Sequence, residues 1–122
     1  MKGVLINPFD RTIKEVTLAK EDILEQIYTL LKCTCIDAVG VIPLHSLYVD
    51  DEGLFKGEQR YFDITYNKTS HTLAGRALLV GYDDETGDSI SCNEGSDLVL
   101  HECVEWKAPN FYLSPRMDFI EL

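Results

Sequence analysis

The segment Arg76-Ala77-Leu78-Leu79-Val80-Gly81-Tyr82 constrains the fold more than any other, because four apolar side chains stand consecutively at its centre. That run has the length of a buried strand and falls far short of a membrane-spanning helix. Asp83-Asp84-Glu85-Thr86-Gly87-Asp88 follows with turn chemistry, and Ser89-Ile90-Ser91-Cys92 is placed to pair back. Residues 76–92 therefore read as a hairpin.

Other segments read as elements around that strand. Residues 2–6 form a short strand, Asn7-Pro8-Phe9-Asp10 a turn, and the β-branched stretch Thr12 to Leu18 the return strand. Over 20–32, Ile23, Leu24, Ile27, Leu30 and Leu31 recur at three- and four-residue spacing, which lines up one apolar helix face. Glu21 and Asp22 fall in the first turn of that helix and Lys32 in its last. Ile36 to Ile42 reads as a buried strand ended by Pro43, and Leu47-Tyr48-Val49 as another, closing on the acidic turn Asp50-Asp51-Glu52-Gly53. Residues 54–75 are ambiguous, with a strand at Tyr61 to Tyr66 and one helical turn at Leu54-Phe55-Lys56 as options. Residues 96–106 admit a helix capped by Ser96 or Asp97, which the spacing favours, or a strand on the alternation of Leu98, Leu100, Val104 and Trp106. Pro109 ends that element, and Phe111-Tyr112-Leu113 is a short strand candidate in the tail. Strands and helices mix without a βαβ rhythm, so the expectation is one α+β domain, mainly antiparallel, with about two helices and hairpins 2–18 and 76–92 at its ends.

The N-terminus has one cation and too short an apolar run for a signal peptide, so a cytoplasmic protein is expected. There, Cys33, Cys35, Cys92 and Cys103 stay reduced and the sequon Asn67-Lys68-Thr69 is silent. Charge is distributed unevenly. Residues 1–82 hold 11 acids and 9 bases, whereas residues 83–122 hold 10 acids against only Lys107 and Arg116, within a net charge of −10. Such a surface repels nucleic acid, suits a partner with a basic surface, and also serves solubility.

Lys2-Gly3-Val4-Leu5-Ile6-Asn7-Pro8, then Tyr48-Val49-Asp50-Asp51-Glu52-Gly53-Leu54, and then Leu73-Ala74-Gly75-Arg76 running into Asp83-Asp84-Glu85 carry a family likeness. Together they resemble an uncharacterised family of small phage and mobile-element proteins. The likeness extends to about residue 106, giving a family-like core of 1–108 and a tail of 109–122 within one domain. The resemblance implies a phage origin and action in the cytoplasm of an infected bacterium, and it carries no catalytic residue.

No catalytic or cofactor motif emerges. Cys33-Thr34-Cys35 has one intervening residue, not the two to four of zinc knuckles, and although Cys92, His101 and Cys103 could join it in space as ligands, cysteines acting as small buried hydrophobes are the better reading. His45, His71 and His101 lack a nucleophile or acid at motif spacing, and the glycines form no phosphate loop. What remains is two groups of carboxylates, Asp50, Asp51, Glu52 and Asp83, Asp84, Glu85, Asp88, with Trp106, Phe111 and Tyr112 as aromatic candidates for partner contact. Neither acidic group has the register of a calcium loop. They are either solvated turns or a mimic of phosphates that occupies a basic groove. The expected function is a non-enzymatic accessory protein, without metal or cofactor, that binds and modulates a host or anti-phage defence protein, with inhibition the favoured mode. Sequestration of a small nucleotide signal is the rival and needs cations such as Lys56, Arg60 or Arg76 around a pocket.

Overall fold

A computed structural model describes residues 1–53 and 59–111. The readings for Leu54-Phe55-Lys56, Tyr112 and the tail beyond it lie outside those residues. β1 (Lys2–Asn7) and β2 (Thr12–Thr17) form the expected hairpin, in register from Lys2 opposite Thr17 to Asn7 opposite Thr12. Its turn is held by side chains, as Asn7 Oδ1 accepts the Phe9 N–H at 3.0 Å and Asp10 accepts the Thr12 hydroxyl.

The apolar run becomes β7 (Ala77–Tyr82), and its place explains its composition. β1 pairs with one side and β4 (His45–Asp50) with the other, so β7 is central in a sheet ordered β2-β1-β7-β4 and completed by β3 (Ile36–Val39). Both faces of β7 are covered, and Ala77, Leu78, Leu79 and Val80 are 0–1 % exposed. Leu78 and Val80 join one apolar cluster, Ala77 and Leu79 the other. β8 (Ser89–Ile90) returns after the acidic turn and pairs with only Gly81 and Tyr82. The 76–92 hairpin is thus present, but it stands at the middle of the sheet and not at an end, because two other strands bracket its first arm.

Helix α1 (Ile23–Leu31) packs on the Leu78 and Val80 face, burying Ile27 and Leu31. It is shorter than the 20–32 spacing suggests. Asp22 adopts a left-handed backbone (φ 54°), and the Gln26 side chain folds back onto the backbone of Ala19 and Glu21. Glu21 and Asp22 consequently precede the first turn, where Glu25 is the acid. Lys32 is also left-handed and closes the helix, with its N–H and that of Cys33 bonded to Thr29 and Tyr28 carbonyls.

Residues 36–42 depart from the buried strand expected. β3 covers only Ile36–Val39, with Asp37 and Ala38 exposed, since it is an edge strand paired on one side by β4. The ambiguous stretch resolves into β5 (Tyr61–Tyr66) and β6 (Thr69–Ala74), which form a three-stranded sheet with β9 (Val104–Trp106), ordered β6-β5-β9.

Residues 96–106 satisfy both alternatives in succession. Helix α2 runs over Ser96–Cys103, and β9 over Val104–Trp106 pairs with β5. The helix stops early because Val104 and Trp106 are strand formers with partners waiting: Val104 lies opposite Ile64, and the Trp106 ring meets Phe62 edge-on at 6.3 Å. Gly95 (φ 81°) takes the capping position expected of Ser96 or Asp97, and the Ser96 hydroxyl instead donates to the Asn93 carbonyl at 2.6 Å. α2 and the small sheet cover the second face of the large one, through Leu100, Phe62 and Ile64 against Val4, Ile6, Leu47 and Leu79. The result is a small single-domain α+β fold, antiparallel in both sheets, with two helices and nine strands among the described residues.

Candidate functional site

Unequal layers create the main concavity. Nine residues of α1 extend about 13 Å, and the helix rests on β7 and β4. The sheet face toward β3 and β8 is left without a covering element among the described residues. A groove of about 690 Å³ occupies that space. Ile23, Leu24 and Ile27 of α1 form one wall, Ile36 and Tyr48 the floor, and Ser89, Ile90 and Ser91 the opposite wall, with Met1, Lys20 and Asp88 at the rim. Leu24 and Ile90 are 52 % and 45 % exposed, so two large apolar side chains face solvent at this one concavity. Its lining hydroxyls are already engaged: Tyr48 Oη and Ser89 Oγ lie 3.1 Å apart, and Ser91 Oγ accepts the Lys2 N–H at 2.9 Å.

The two acidic groups lie at opposite ends of the large sheet. Asp50, Asp51 and Glu52 follow β4, whereas Asp83, Asp84, Glu85 and Asp88 follow β7, and those strands are antiparallel neighbours. Strand rise puts about 20 Å between them. In the second turn Asp83 is structural. Its Oδ1 accepts the Glu85 N–H at 2.9 Å, its N–H donates to the Asp88 carbonyl at 3.0 Å, and its carbonyl accepts the Gly87 N–H at 2.8 Å. Asp84, Glu85 and Asp88 are left exposed, and Asp88 reaches the groove rim. In the first turn Asp50 Oδ1 accepts the Glu52 N–H at 2.9 Å. Among the described residues no group of three His, Cys, Asp or Glu side chains is arranged to hold a metal ion.

The aromatic candidates belong to another face. Trp106 is half-buried in the core against Phe62, and Phe111 packs edge-on against Tyr61 at 5.2 Å. Lys107 stands 5.1 Å from the Phe111 ring and 2.8 Å from Asp63, which also accepts the Thr72 hydroxyl. Burial works to raise the Asp63 pKa, but the hydrogen bonds from Lys107 and Thr72 and the Lys107 charge outweigh it and leave the carboxyl below its ordinary value. None of these groups lines the groove, and Tyr112 lies outside the described residues.

The histidines and cysteines take structural or solvent positions. His45 is buried, and its Nε2 accepts the Asn93 N–H at 3.2 Å. Nδ1 therefore carries the proton and donates to the Pro43 carbonyl at 2.9 Å, which fixes a neutral tautomer. His71 is half-buried on β6, and His101 is exposed on α2. Cys92 is buried and Cys103 partly so, and desolvation pushes both thiols above their ordinary pKa. Cys35 is exposed. Of the cations considered for an anionic ligand, Arg76 stacks over Phe9 at 4.4 Å and Arg60 donates to the Gln59 carbonyl at 3.3 Å, so neither lines the groove; Lys56 lies outside the described residues. Lys20 is the cation that does, and nothing in its local sequence marks it for that place.

Against known proteins, the family model described as Domain of unknown function (DUF3846) matches residues 1–101. No curated protein and no solved structure matches the chain. No helix among the described residues is long and apolar enough to cross a membrane.

Proposed function

The chain belongs to the DUF3846 family, whose description assigns no activity, and from the site alone we propose that it is a binding protein and not a catalyst. Its partner is a protein with a basic surface, engaged through the exposed carboxylates of the 83–88 turn together with the groove beside them. The observation that carries this reading is the contiguity of two chemistries at one place. Asp88 stands at the rim of a groove whose walls expose Leu24 and Ile90. The exposed carboxylates of the neighbouring 83–88 turn orient a basic partner, although Lys20 shares the rim with Asp88, and the desolvated apolar contact supplies most of the affinity. In the setting we propose, the cytoplasm of a phage-infected bacterium, the partner is a host or defence protein and binding inhibits it. That setting rests on the sequence resemblance. If a nucleic-acid-binding surface is the target, mimicry is confined to the 83–88 turn, since the 50–52 turn is too distant to extend the same charge array.

One observation favours the rival reading, sequestration of a small molecule. The groove volume falls within the range of ordinary ligand sites. Against an anionic nucleotide stands the net charge of −10, with Lys20 as the cation at the rim.

The experiment is capture of a partner from bacterial lysate by the tagged chain, followed by affinity measurement with the purified partner. Asp84→Asn, Glu85→Gln and Asp88→Asn together should weaken binding at least tenfold and flatten its salt dependence, because exposed charges are screened over about 10 Å at 0.1 M salt. Affinity that is independent of salt and survives neutralisation would reduce the turn to a solubility feature.

A further inference from the structure

We infer that the outer edge of β3 receives an extended strand of the partner, added antiparallel, with its side chains alternating between cavities on the two faces of the sheet. The inference rests on the binding reading above and names what enters the groove.

Backbone direction identifies the open groups. The Asp51 N–H donates to the Cys35 carbonyl at 3.0 Å, across to the β4 side, and Asp37 stands opposite Val49 in the same register. Alternation then turns the backbone groups of Cys35, Asp37 and Val39 toward β4 and those of Ile36 and Ala38 outward. The Ala38 N–H agrees with this direction, since the Asp37 side chain accepts it at 2.9 Å. With no strand beyond β3, the N–H and C=O of Ile36 and the C=O of Ala38 are left open among the described residues. Such groups are what an added strand pairs with. The other outer strand of this sheet, β2, has α2 packed against its Ile13 face, whereas β3 is bordered by a cavity on each face.

Successive side chains of β3 assign the two cavities to opposite faces. Ile36, with Tyr48 of β4, lines the groove of about 690 Å³. Asp37 and Val39 line a second cavity, of about 210 Å³, whose apolar wall is completed by Val49 of β4 and by Leu73 and Ala74 of β6. A strand added about 4.8 Å from β3 carries its own side chains over these two cavities in alternation. The smaller cavity has the size of a single long side chain.

Charge differs between the two faces and sets the pattern of the occupant. In the groove Lys20 offsets Asp88 and the walls are apolar, so apolar side chains belong there. The smaller cavity is bordered by Asp37, Asp50 and Asp51, with no Lys, Arg or His among its described lining residues. Asp50 is engaged by the Glu52 N–H, whereas Asp37 and Asp51 are exposed. A lysine or arginine lays its stem along Val39 and Leu73 and brings its charge to these two carboxylates. It also gives Asp37 a partner when the arriving strand takes over the Ala38 N–H. A neutral strand offers Asp37 nothing in exchange, and edge-to-edge pairing with a second copy of this chain would set the same aspartates against each other. The fitting occupant is therefore a strand that alternates apolar and basic residues.

The test uses the full chain and a labelled peptide of about seven residues that alternates valine and lysine. In the antiparallel register its valines lie opposite Ile36 and Ala38 with their N–H groups toward β3, and the lysine N–H groups face solvent. N-methylation of the valine amides should therefore weaken binding at least tenfold by fluorescence anisotropy, and N-methylation of the lysine amides should leave it unchanged. A peptide alternating valine and glutamate should bind at least tenfold more weakly than the lysine peptide. Amide shifts should centre on Ile36, Ala38 and Val39. Asp37→Asn with Asp51→Asn should weaken binding about tenfold at an unchanged thermal midpoint, since both side chains are exposed and an asparagine still accepts the Ala38 N–H. Indifference to valine N-methylation, equal binding of the glutamate peptide, or shifts centred away from β3 would overturn the inference. So would a peptide that occupies the edge without displacing the captured partner. If the peptide fails to bind while neutralising the 83–88 turn still releases that partner, the binding reading stands and strand addition falls.

Discussion

Replacing Gly81 by alanine tests the wall of the groove and the logic of the sheet together. Gly81 lies opposite Ile90 in the two-position pairing of β7 with β8. A methyl group at Gly81 would sit 2.4 Å from the Ser91 carbonyl oxygen and 3.0 Å from the Ile90 side chain. The first obstacle is backbone, so no rotamer change relieves it, and β8 must move away from β7. Forcing extra volume into a packed site costs about 1–3 kcal/mol. Releasing β8 instead surrenders its ladder bonds and endangers the Cys92 N–H to Lys2 carbonyl bond of 2.9 Å. Net values of about 1 kcal/mol for each such bond lead to a similar figure. The expected destabilisation of Gly81→Ala is therefore about 2–3 kcal/mol, or roughly 10 °C in Tm for a domain of this size. Urea denaturation followed by tryptophan fluorescence measures it, and amide shifts of Ser89 to Ser91 report whether β8 has moved. Gly40→Ala is the control, because a methyl group there would meet nothing within 4 Å, and it should change stability by less than about 1 kcal/mol. A loss below about 0.5 kcal/mol for Gly81→Ala, with the β8 amides in place, would refute the close-approach argument.

Three further outcomes concern the titrating groups. Because the Asp63 pKa is lowered in the fold, its contribution is complete above the ordinary aspartate value and is lost as pH falls through the lower folded value. The stability advantage of the native chain over Asp63→Asn should thus shrink through acid pH in urea titrations; an advantage that stays constant there would refute the Lys107 and Thr72 account. Timed iodoacetamide labelling read by mass should modify exposed Cys35 first and Cys92 last, since burial hides Cys92 and raises its pKa. The native mass should match the metal-free chain, and a stoichiometric zinc adduct would overturn the reading of these cysteines as plain thiols.

Local signals carried much of the fold. Residues 2–18 are contiguous, and their turn chemistry sits in Asn7 and Asp10, so the first hairpin was legible from its own residues. The stripe Ile23, Ile27, Leu31 marked α1, although its start depended on Gln26 folding back across seven residues to Ala19. Ala77 to Val80 announced burial because both faces of β7 are covered. Failures arose where a distant partner decides the outcome. Val104 and Trp106 left the helix for Phe62 and Ile64, and Ile36 to Ile42 was shortened by becoming an edge. The groove was invisible for the same reason. It exists because a nine-residue helix is laid on a wider sheet, and the linear order of Leu24, Tyr48 and Ile90 says nothing of their adjacency. Equally, no local pattern told that the two acidic turns stand at opposite ends of the sheet; that follows from β4 and β7 running antiparallel.

The central place of β7 has a consequence for how the chain assembles. Leu79 meets Val4 on one side and Leu47 on the other, so the strand that joins the halves of the large sheet is made after both of its neighbours. Until residue 82 has left the ribosome, β1 and β4 present unpaired, apolar edges with nothing between them. Closing loops of that length before any reward is gained places the domain among slow folders dominated by non-local pairing, on a scale of about milliseconds to seconds. A nascent chain in this condition exposes apolar strand edges of the kind that chaperones shield, and the native sheet needs the late-synthesised strand between the two early ones.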